Sequence, residues 1–214
     1  MKNYVYYLQW TVPFYLYASV YLMVFCGICK RSVCGRSNRI FCIGMFASIV
    51  VVLGLTVGNS GAGQITWQDI RYNVRTANII PIIGIVRTFF TALGGDIKDA
   101  VNLFGNILLF VPVGFFMGAF FRKERESVTF LAGAGVSLVI EIFQLFVLRA
   151  FDVDDILLNA FGIWLGMRLL KVVELYWKRL TEELTLEIRK DGRLFFLICA
   201  MLFFLLFSFV CMKF

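Results

Sequence analysis

The 214-residue sequence contains no histidine, and only 16% of its residues carry a charge. Histidine is the usual general base at neutral pH and the commonest metal ligand, so any chemistry here has to use carboxylates, amides, hydroxyls, thiols, lysine or arginine. A soluble domain carries about 25% charged residues. The shortage of charge argues against a water-soluble fold, a disordered chain and a nucleic-acid-binding protein.

Long apolar runs take the place of the missing charge, and 60% of the residues are hydrophobic. A membrane-spanning helix needs about 20 apolar residues, and six segments approach this length: 11–29, 40–57, 103–121, 127–148, 151–170 and 194–212. The sequence therefore predicts an all-α polytopic integral membrane protein, a bundle of about six transmembrane helices. We expect residues 1–214 to form a single membrane domain.

The distribution of basic residues predicts the orientation of these helices. Fourteen of the 21 Lys and Arg residues fall in the loops around residues 30–39, 122–125 and 168–193. Cytoplasmic loops of membrane proteins are enriched in Lys and Arg. The pattern predicts a multi-pass protein with both termini outside the cytoplasm, and it explains most of the net charge of +7 without an anionic partner.

Two further segments differ from ordinary spans. Residues 78–93 are apolar but are interrupted by Pro81, Gly84 and Arg87, which favours a re-entrant or interfacial segment on the outer side. Residues 168–193 alternate apolar and charged side chains at helical spacing, so we expect the fifth span to continue as an amphipathic cytoplasmic helix over residues 171–193. The terminal transmembrane helix, 194–212, follows it.

Polar residues recur at intervals of three and four within three of the predicted spans, and each set lies in the outer half of its helix. Residues spaced in this way share one helix face, and ionisable groups inside a membrane mark functional sites by default. We therefore expect an outward-facing polar pocket between the three helices. The residues concerned are Asp99, Asn102 and Asn106 in the third span, Glu141 and Gln144 in the fourth, and Asp152, Asp155 and Asn159 in the fifth.

The charges near this pocket allow several roles. Arg149 is the natural counter-ion for the deepest carboxylate, or it belongs to a structural ion network between two spans. Asp152, Asp154 and Asp155 offer the oxygen ligands that Mg²⁺ or Ca²⁺ prefers. An acidic run at a helix start is also favourable simply because of the helix dipole. No other cofactor is predicted.

The order and spacing of these residues resemble the VanZ-like family over roughly residues 75–170. The resemblance is carried by Asn78-Ile-Ile-Pro81, by the segment from Asn106 to Gly114, and by the polar residues downstream, which are Glu141, Gln144, Arg149, Asp152, Asp154, Asp155 and Asn159. It implies a polytopic bacterial cell-membrane protein associated with low-level resistance to the lipoglycopeptide teicoplanin, without a settled reaction. The matching motif residues add Asn78, Pro81 and Pro112 to the candidates.

Two functions remain open at this point, and the sequence does not decide whether the protein is an enzyme. The first is a binding protein whose outer pocket recognises the head group of a membrane lipid, such as a cell-wall precursor, or a lipoglycopeptide. The second is an intramembrane lipid-modifying enzyme with Glu141 or Asp155 as general base, with or without a divalent cation. Transport is disfavoured because the polar groups lie on one side and no inverted repeat is evident.

Overall fold

The computed structural model describes residues 12–27 except 13 and 17, and residues 36–58, 65–121, 126–147 and 149–176. Within these residues the regular elements are helices, apart from one isolated bridge between Asn78 and Asp152. The fold is therefore all-α, as the sequence predicts. The helices are α1 (Phe14–Gly27), α2 (Arg36–Leu53), α3 (Trp67–Arg75), α4 (Ile83–Leu93), α5 (Ile97–Phe120), α6 (Glu126–Gln144) and α7 (Val153–Tyr176).

Three of these helices are long and apolar enough to cross a membrane, namely Ile97–Ala119 in α5, Glu126–Gln144 in α6 and Val153–Tyr176 in α7. They correspond to the predicted spans 103–121, 127–148 and 151–170, and they make the chain a membrane protein. The predicted spans 11–29 and 40–57 coincide with the shorter apolar helices Phe14–Gly27 and Cys42–Thr56. The predicted span 194–212 and most of the amphipathic segment lie outside the described residues.

Helix boundaries differ from the predicted spans where polar side chains cap the backbone. Helix α5 begins at Ile97, because the carboxylate of Asp96 accepts hydrogen bonds from the backbone N–H groups of Lys98 and Asp99 at 2.9 and 3.3 Å. Such a cap satisfies donors that have no partner within the helix. Helix α3 begins at Trp67 and is capped by Thr66, whose hydroxyl and N–H donate to Asp69 and hold the pKa of that carboxyl below its ordinary value.

The segment 78–93, predicted to be re-entrant or interfacial, forms a short loop followed by helix α4. With 11 residues, α4 extends only about 16 Å, which is far less than the roughly 30 Å of a bilayer core, and it contains no buried residue. Its apolar side chains are exposed on the protein surface, Phe90 and Leu93 among them. A short, apolar and surface-lying helix is typical of an interfacial element.

Glycines bring α5 and α7 into backbone contact along the centre of the bundle. A Cβ atom added to Gly114 would overlap the carbonyl oxygen of Ile163, and one added to Gly162 would overlap that of Ile107. A Cβ atom added to Gly166 would likewise overlap the carbonyl oxygen of Val111. Because lipid provides no hydrophobic force between helices, close packing of this kind holds them together. We call this row of close glycine contacts between α5 and α7 the seam. It fixes how the polar residues at the start of the two helices lie relative to one another.

Candidate functional site

The predicted polar residues gather where α5 begins, α6 ends and α7 begins. The loop before α4 joins them through a parallel bridge: Asn78 N–H donates to the carbonyl of Phe151 at 2.8 Å, and Val153 N–H donates to the carbonyl of Asn78 at 3.0 Å. This bridge places the start of α4 beside the first turn of α7. We call the resulting group the polar cluster; it consists of Asn78, Asn106, Glu141, Gln144, Asp152, Asp154 and Asp155.

Asp154 attaches α4 to α7. Its carboxylate is buried, and it accepts hydrogen bonds from the backbone N–H groups of Ile82 at 2.5 Å and Ile85 at 3.1 Å, and from the Asn78 amide at 3.2 Å. Gly84 leaves room for this carboxylate, because a Cβ atom there would overlap Oδ2 of Asp154. One side chain thus accepts hydrogen bonds from two backbone N–H groups at the start of α4, Ile82 and Ile85, where a negative charge is also favoured.

Ile82, which precedes α4, has φ of +78°. A β-branched residue with positive φ is strained, at a cost of the order of 1–3 kcal/mol. The hydrogen bond from Ile82 N–H to Asp154 stabilises this conformation.

Asp152 connects the loop to α6. Its Oδ1 accepts hydrogen bonds from the Asn78 amide at 2.9 Å and from Asp154 N–H at 2.8 Å, while its own N–H donates to Oε2 of Glu141 at 3.3 Å. Glu141 is the deepest carboxylate and is 1% exposed. With the Gln144 amide oriented to donate, its nitrogen lies 2.9 and 3.0 Å from the two oxygens of Glu141. Both oxygens of Glu141 therefore already have a partner.

Asp155 differs from Glu141 and Asp154 because one of its oxygens has no partner among the described residues. Its Oδ1 accepts a hydrogen bond from the Asn106 amide at 2.6 Å, whereas Oδ2 receives no hydrogen bond from the described part of the chain. Asp155 also borders a small cavity between α4, α5 and α7. Asp152 shares these properties, because both hydrogen bonds to its carboxylate go to Oδ1 and it borders the same cavity.

The cavity, which we call the polar cavity, has a volume of about 40 Å³. Such a space holds about one water molecule. Four of the predicted residues line it, namely Asn102, Asp152, Asp154 and Asp155, and α4 covers it with Gly84, Ile85 and Thr88. Sequence reasoning did not select Thr88, although this threonine lies only one residue beyond Arg87 in the segment predicted to be interfacial.

Asn159 lies one turn further into the bundle than Asp155. Its amide nitrogen donates to the hydroxyl of Ser137 on α6 at 2.9 Å, and its Oδ1 is buried without a partner among the described residues. Ser137 is fully buried and was missed by sequence reasoning. Its spacing of four residues from Glu141 could have identified it, since both residues then share one face of α6.

Arg149 is placed beside the cluster without direct contact. Its charge acts on Glu141 and Asp155, but among the described residues it forms no ion pair within 4.0 Å. The expected counter-ion thus acts at longer range, while the buried carboxylates are satisfied by amides and backbone N–H groups. Asp99, by contrast, points to the hydroxyl of Thr91 and stays outside the cluster.

Asp152, Asp154 and Asp155 are the residues that the sequence offers to a divalent cation. Asp152 and Asp154 accept five of the hydrogen bonds described above, through Oδ1 of Asp152 and both oxygens of Asp154. Among the described residues, no group of three Cys, Asp or Glu side chains is arranged to hold a metal ion.

Basic side chains occur at the opposite end of the bundle. Glu126 at the start of α6 pairs with Arg168 at 2.7 Å and with Lys171, and Arg168 also lies over the ring of Trp164 at 5.5 Å. These groups are roughly half exposed, so the ion pairs contribute little to stability. They mark the end of the bundle that lies away from the polar cluster.

The sequence profile of the VanZ/LLP1 family matches residues 14–174, which include every described helix apart from the last two residues of α7. The chain belongs to the VanZ/LLP1 family. It is also 28% identical over 99 residues to Protein VanZ of Enterococcus faecium, a match that covers 46% of this chain and 54% of that protein. The chain thus spans about half the length of this curated relative. No solved structure matches.

Proposed function

We propose that this VanZ-like protein binds the polar group of a cell-envelope amphiphile at the outer face of the bacterial cell membrane. The ligand is a lipid head group, such as that of a cell-wall precursor, or a lipoglycopeptide, and its binding contributes to low-level teicoplanin resistance. One observation carries the proposal: polar side chains from three apolar helices converge on a cavity, and one carboxylate oxygen of Asp155 is left unpaired there.

The energetics support a functional origin for this convergence. Polar groups buried in a membrane cost several kcal/mol unless they find partners or serve a site. Most members of the cluster satisfy one another, which leaves Oδ2 of Asp152, Oδ2 of Asp155 and the side chain of Asn102 without a partner among the described residues, and all three residues line the polar cavity. These groups are the first that a ligand would meet. Because the cavity is small, a head group has to bind at its rim or displace α4.

The charge distribution supports an outward orientation. The two ends of the bundle differ, since Arg36 and Arg39 begin α2 at the same end as Arg168 and Lys171, while four carboxylates lie in or near the polar cluster end. Under the positive-inside tendency the basic end faces the cytoplasm. In this orientation the protein passes the membrane several times, with both termini outside.

The test is the teicoplanin susceptibility of a sensitive strain that expresses the protein. We expect the wild type to raise the minimal inhibitory concentration, and Asp155→Asn to return it to the level of the empty vector. Glu126→Gln, at the basic end, is the matched control and retains the effect. A glycopeptide without an acyl chain shows whether the effect depends on the lipid part.

Equal expression of all variants has to be verified by immunoblotting of membranes. If Asp155→Asn protects as well as the wild type at equal expression, the polar cavity has no part in resistance. If the wild type itself gives no protection, this member of the family does not act on teicoplanin, and the proposed role in resistance is wrong.

The unpaired oxygen of Asp155 also favours a second candidate, an intramembrane lipid hydrolase. In this reaction a water molecule attacks a lipid ester, Asp155 takes a proton from that water, and the departing oxygen receives the proton. Glu141 fits this role less well, because both of its oxygens are engaged. Release of a radiolabelled acyl or head group from lipid by purified wild-type protein, lost in Asp155→Asn, distinguishes an enzyme from a binding protein.

A further inference from the structure

An apolar groove runs along the bundle between α2 and α5. Its volume is about 590 Å³, within the range of about 300–1,000 Å³ typical of small-molecule sites. Helix α2 contributes Gly44, Ala47, Ser48 and Val51 to its walls, and α5 contributes Gly105, Leu108, Leu109, Pro112 and Phe116. We call this the apolar groove. Its α5 wall belongs to a helix that is long and apolar enough to cross a membrane.

The apolar groove offers no free side-chain hydrogen-bond donor to an occupant. Ser48 is its single hydroxyl, and this hydroxyl donates to the carbonyl of Met45 at 2.7 Å within α2. Gly44 allows the ring of Phe116 to lie against α2, since a Cβ atom there would be 2.5 Å from Cζ of that ring. The groove thus narrows at Phe116 and is open toward Gly105. Its chemistry fits a hydrocarbon chain.

The apolar groove and the polar cavity follow one another along the same face of α5. Asn102 lines the polar cavity, and Gly105, Leu109, Pro112 and Phe116 of the groove follow it at intervals of three and four residues. This spacing places all five on one helix face. From Gly105 to Phe116 the face extends about 16 Å. The polar cavity and the apolar groove therefore border the same face of α5, with the polar cavity at the start of the helix.

The charge of the polar end selects the head group. The polar cavity is lined by three aspartates, Asn102 and Thr88, and Arg149 forms no ion pair with the residues that the structure describes. Carboxylates and amide oxygens accept hydrogen bonds from hydroxyl and ammonium groups, whereas a phosphate would meet like charges. The complementary head therefore carries hydroxyl or ammonium donors.

We infer that the apolar groove holds the acyl chain of a single-chain amphiphile whose hydroxyl- or ammonium-bearing head lies at Asn102 and Asp155. The inference rests on the proposed function, because it names the class of ligand for the same polar site. It adds that the acyl chain is bound by the protein in a defined position, rather than remaining free in the bilayer.

Photolabelling of the full-length protein in lipid nanodiscs tests the inference. The probe is N-palmitoyl glucosamine with a diazirine in the acyl chain, and a phosphatidic acid with the same photoreactive chain is the comparison. We expect the glucosamine probe to label α2 and α5 at the groove residues. Gly105→Leu fills the groove, and labelling there should fall about tenfold.

Gly135→Leu on α6 is the matched control. At neither glycine would an added Cβ atom lie within 4 Å of other residues, and both substitutions add the same side chain to a span. Labelling in Gly135→Leu should equal that of the wild type. Asp155→Asn should also reduce labelling, because the head then loses its charged acceptor.

The outcomes separate the groove from the polar site. Loss in Asp155→Asn with unchanged labelling in Gly105→Leu overturns the groove while the proposed head-group site survives. Equal labelling by the phosphatidic acid overturns the inference as well, because the groove then accepts any lipid chain. If labelling falls in Gly105→Leu but is unchanged in Asp155→Asn, the head and the acyl chain are not held together at these two sites, and the inference is wrong. The proposed function then has no support from this probe.

Discussion

Among single residues, Asp154 makes the largest number of contacts that no sequence pattern reveals. Its three hydrogen-bond donors, at Asn78, Ile82 and Ile85, lie 69–76 positions away in the chain. The carboxylate is buried, and it accepts hydrogen bonds from the backbone N–H groups of Ile82 and Ile85 at the start of α4. Hydrogen bonds to a charged group contribute about 1.5–3 kcal/mol each, so this residue determines whether α4 stays on the bundle.

Asp154→Asn should loosen α4, because an amide has one acceptor oxygen where the carboxylate has two. We expect the local opening free energy of α4 to fall by about 1–3 kcal/mol. Amide hydrogen exchange at Ile82 and Ile85 measures this directly, and exchange should accelerate about 10- to 100-fold.

Asp96→Asn is the matched control for this prediction. Asp96 caps α5, and asparagine caps a helix about as well as aspartate, so exchange in α5 and α4 should stay unchanged. Unaltered exchange at Ile82 in Asp154→Asn would mean that the loop before α4 is held by the Asn78 bridge alone.

Relations between residues of one helix could be predicted from the sequence, whereas contacts between helices could not. Helical spacing identified Asp152, Asp155 and Asn159 as one stripe, because that relation lies within a single helix. The bond from Asp155 to Asn106 joins residues 49 positions apart, and the bond from Asn159 to Ser137 joins residues 22 apart. Such pairings depend on how the helices dock, and periodicity contains no information about docking.

At the scale of elements, the seam between α5 and α7 holds the cluster in place. Gly114 and Gly118 on α5, and Gly162 and Gly166 on α7, are each four residues apart, a spacing that allows close helix packing in membranes. Three of these glycines do bring backbones together, whereas Gly118 faces the side chain of Leu170. Helices α5 and α7 begin at Ile97 and Val153, whereas the predicted spans begin at residues 103 and 151. The difference arises because Asp96 caps α5 and Asp152 forms the bridge with Asn78 just before α7.

Gly162→Ala should destabilise the protein, because the added methyl group overlaps the carbonyl of Ile107 and approaches Phe110. Overpacking of this kind costs about 1–3 kcal/mol, and more where backbone has to move. We expect the midpoint of thermal unfolding to fall, and circular dichroism of the protein in detergent measures this midpoint.

Gly135→Ala provides the comparison for the seam. Its new Cβ atom would contact nothing within 4 Å, so the gain in helix propensity of up to about 1 kcal/mol should appear alone. If both variants melt at the same temperature, the two helices can separate slightly at no cost, and the seam does not set their register.

At the scale of the whole molecule, the two ends of the bundle are chemically different. Carboxylates and amides collect at one end, and the ion pairs of Glu126 with Arg168 and Lys171 lie at the other. The sequence predicted this asymmetry from loop composition alone, because charge segregation requires no knowledge of packing. The number of spans does not follow from composition in the same way. The sequence predicted about six spans, and three of the described helices have the length to cross a membrane.

Cysteine accessibility tests the orientation of this asymmetry. In a background with all native cysteines replaced by alanine, Lys98→Cys reports on the polar end and Ser127→Cys on the basic end; both positions are exposed. A membrane-impermeant maleimide should label Lys98→Cys in intact spheroplasts, and Ser127→Cys only after permeabilisation. The reverse pattern would place the polar cluster in the cytoplasm and contradict the proposed site of ligand binding.

The strained backbone at Ile82 links the cover of the polar cavity to its contents. Asp154 both lines the cavity and supplies the acceptor that keeps Ile82 at positive φ. A ligand donor that captures this carboxylate competes with Ile82 N–H, and the strain of about 1–3 kcal/mol is then released when the loop relaxes. Opening of α4 and occupation of Asp154 are thus thermodynamically coupled, so a ligand can offset part of the cost of its own entry.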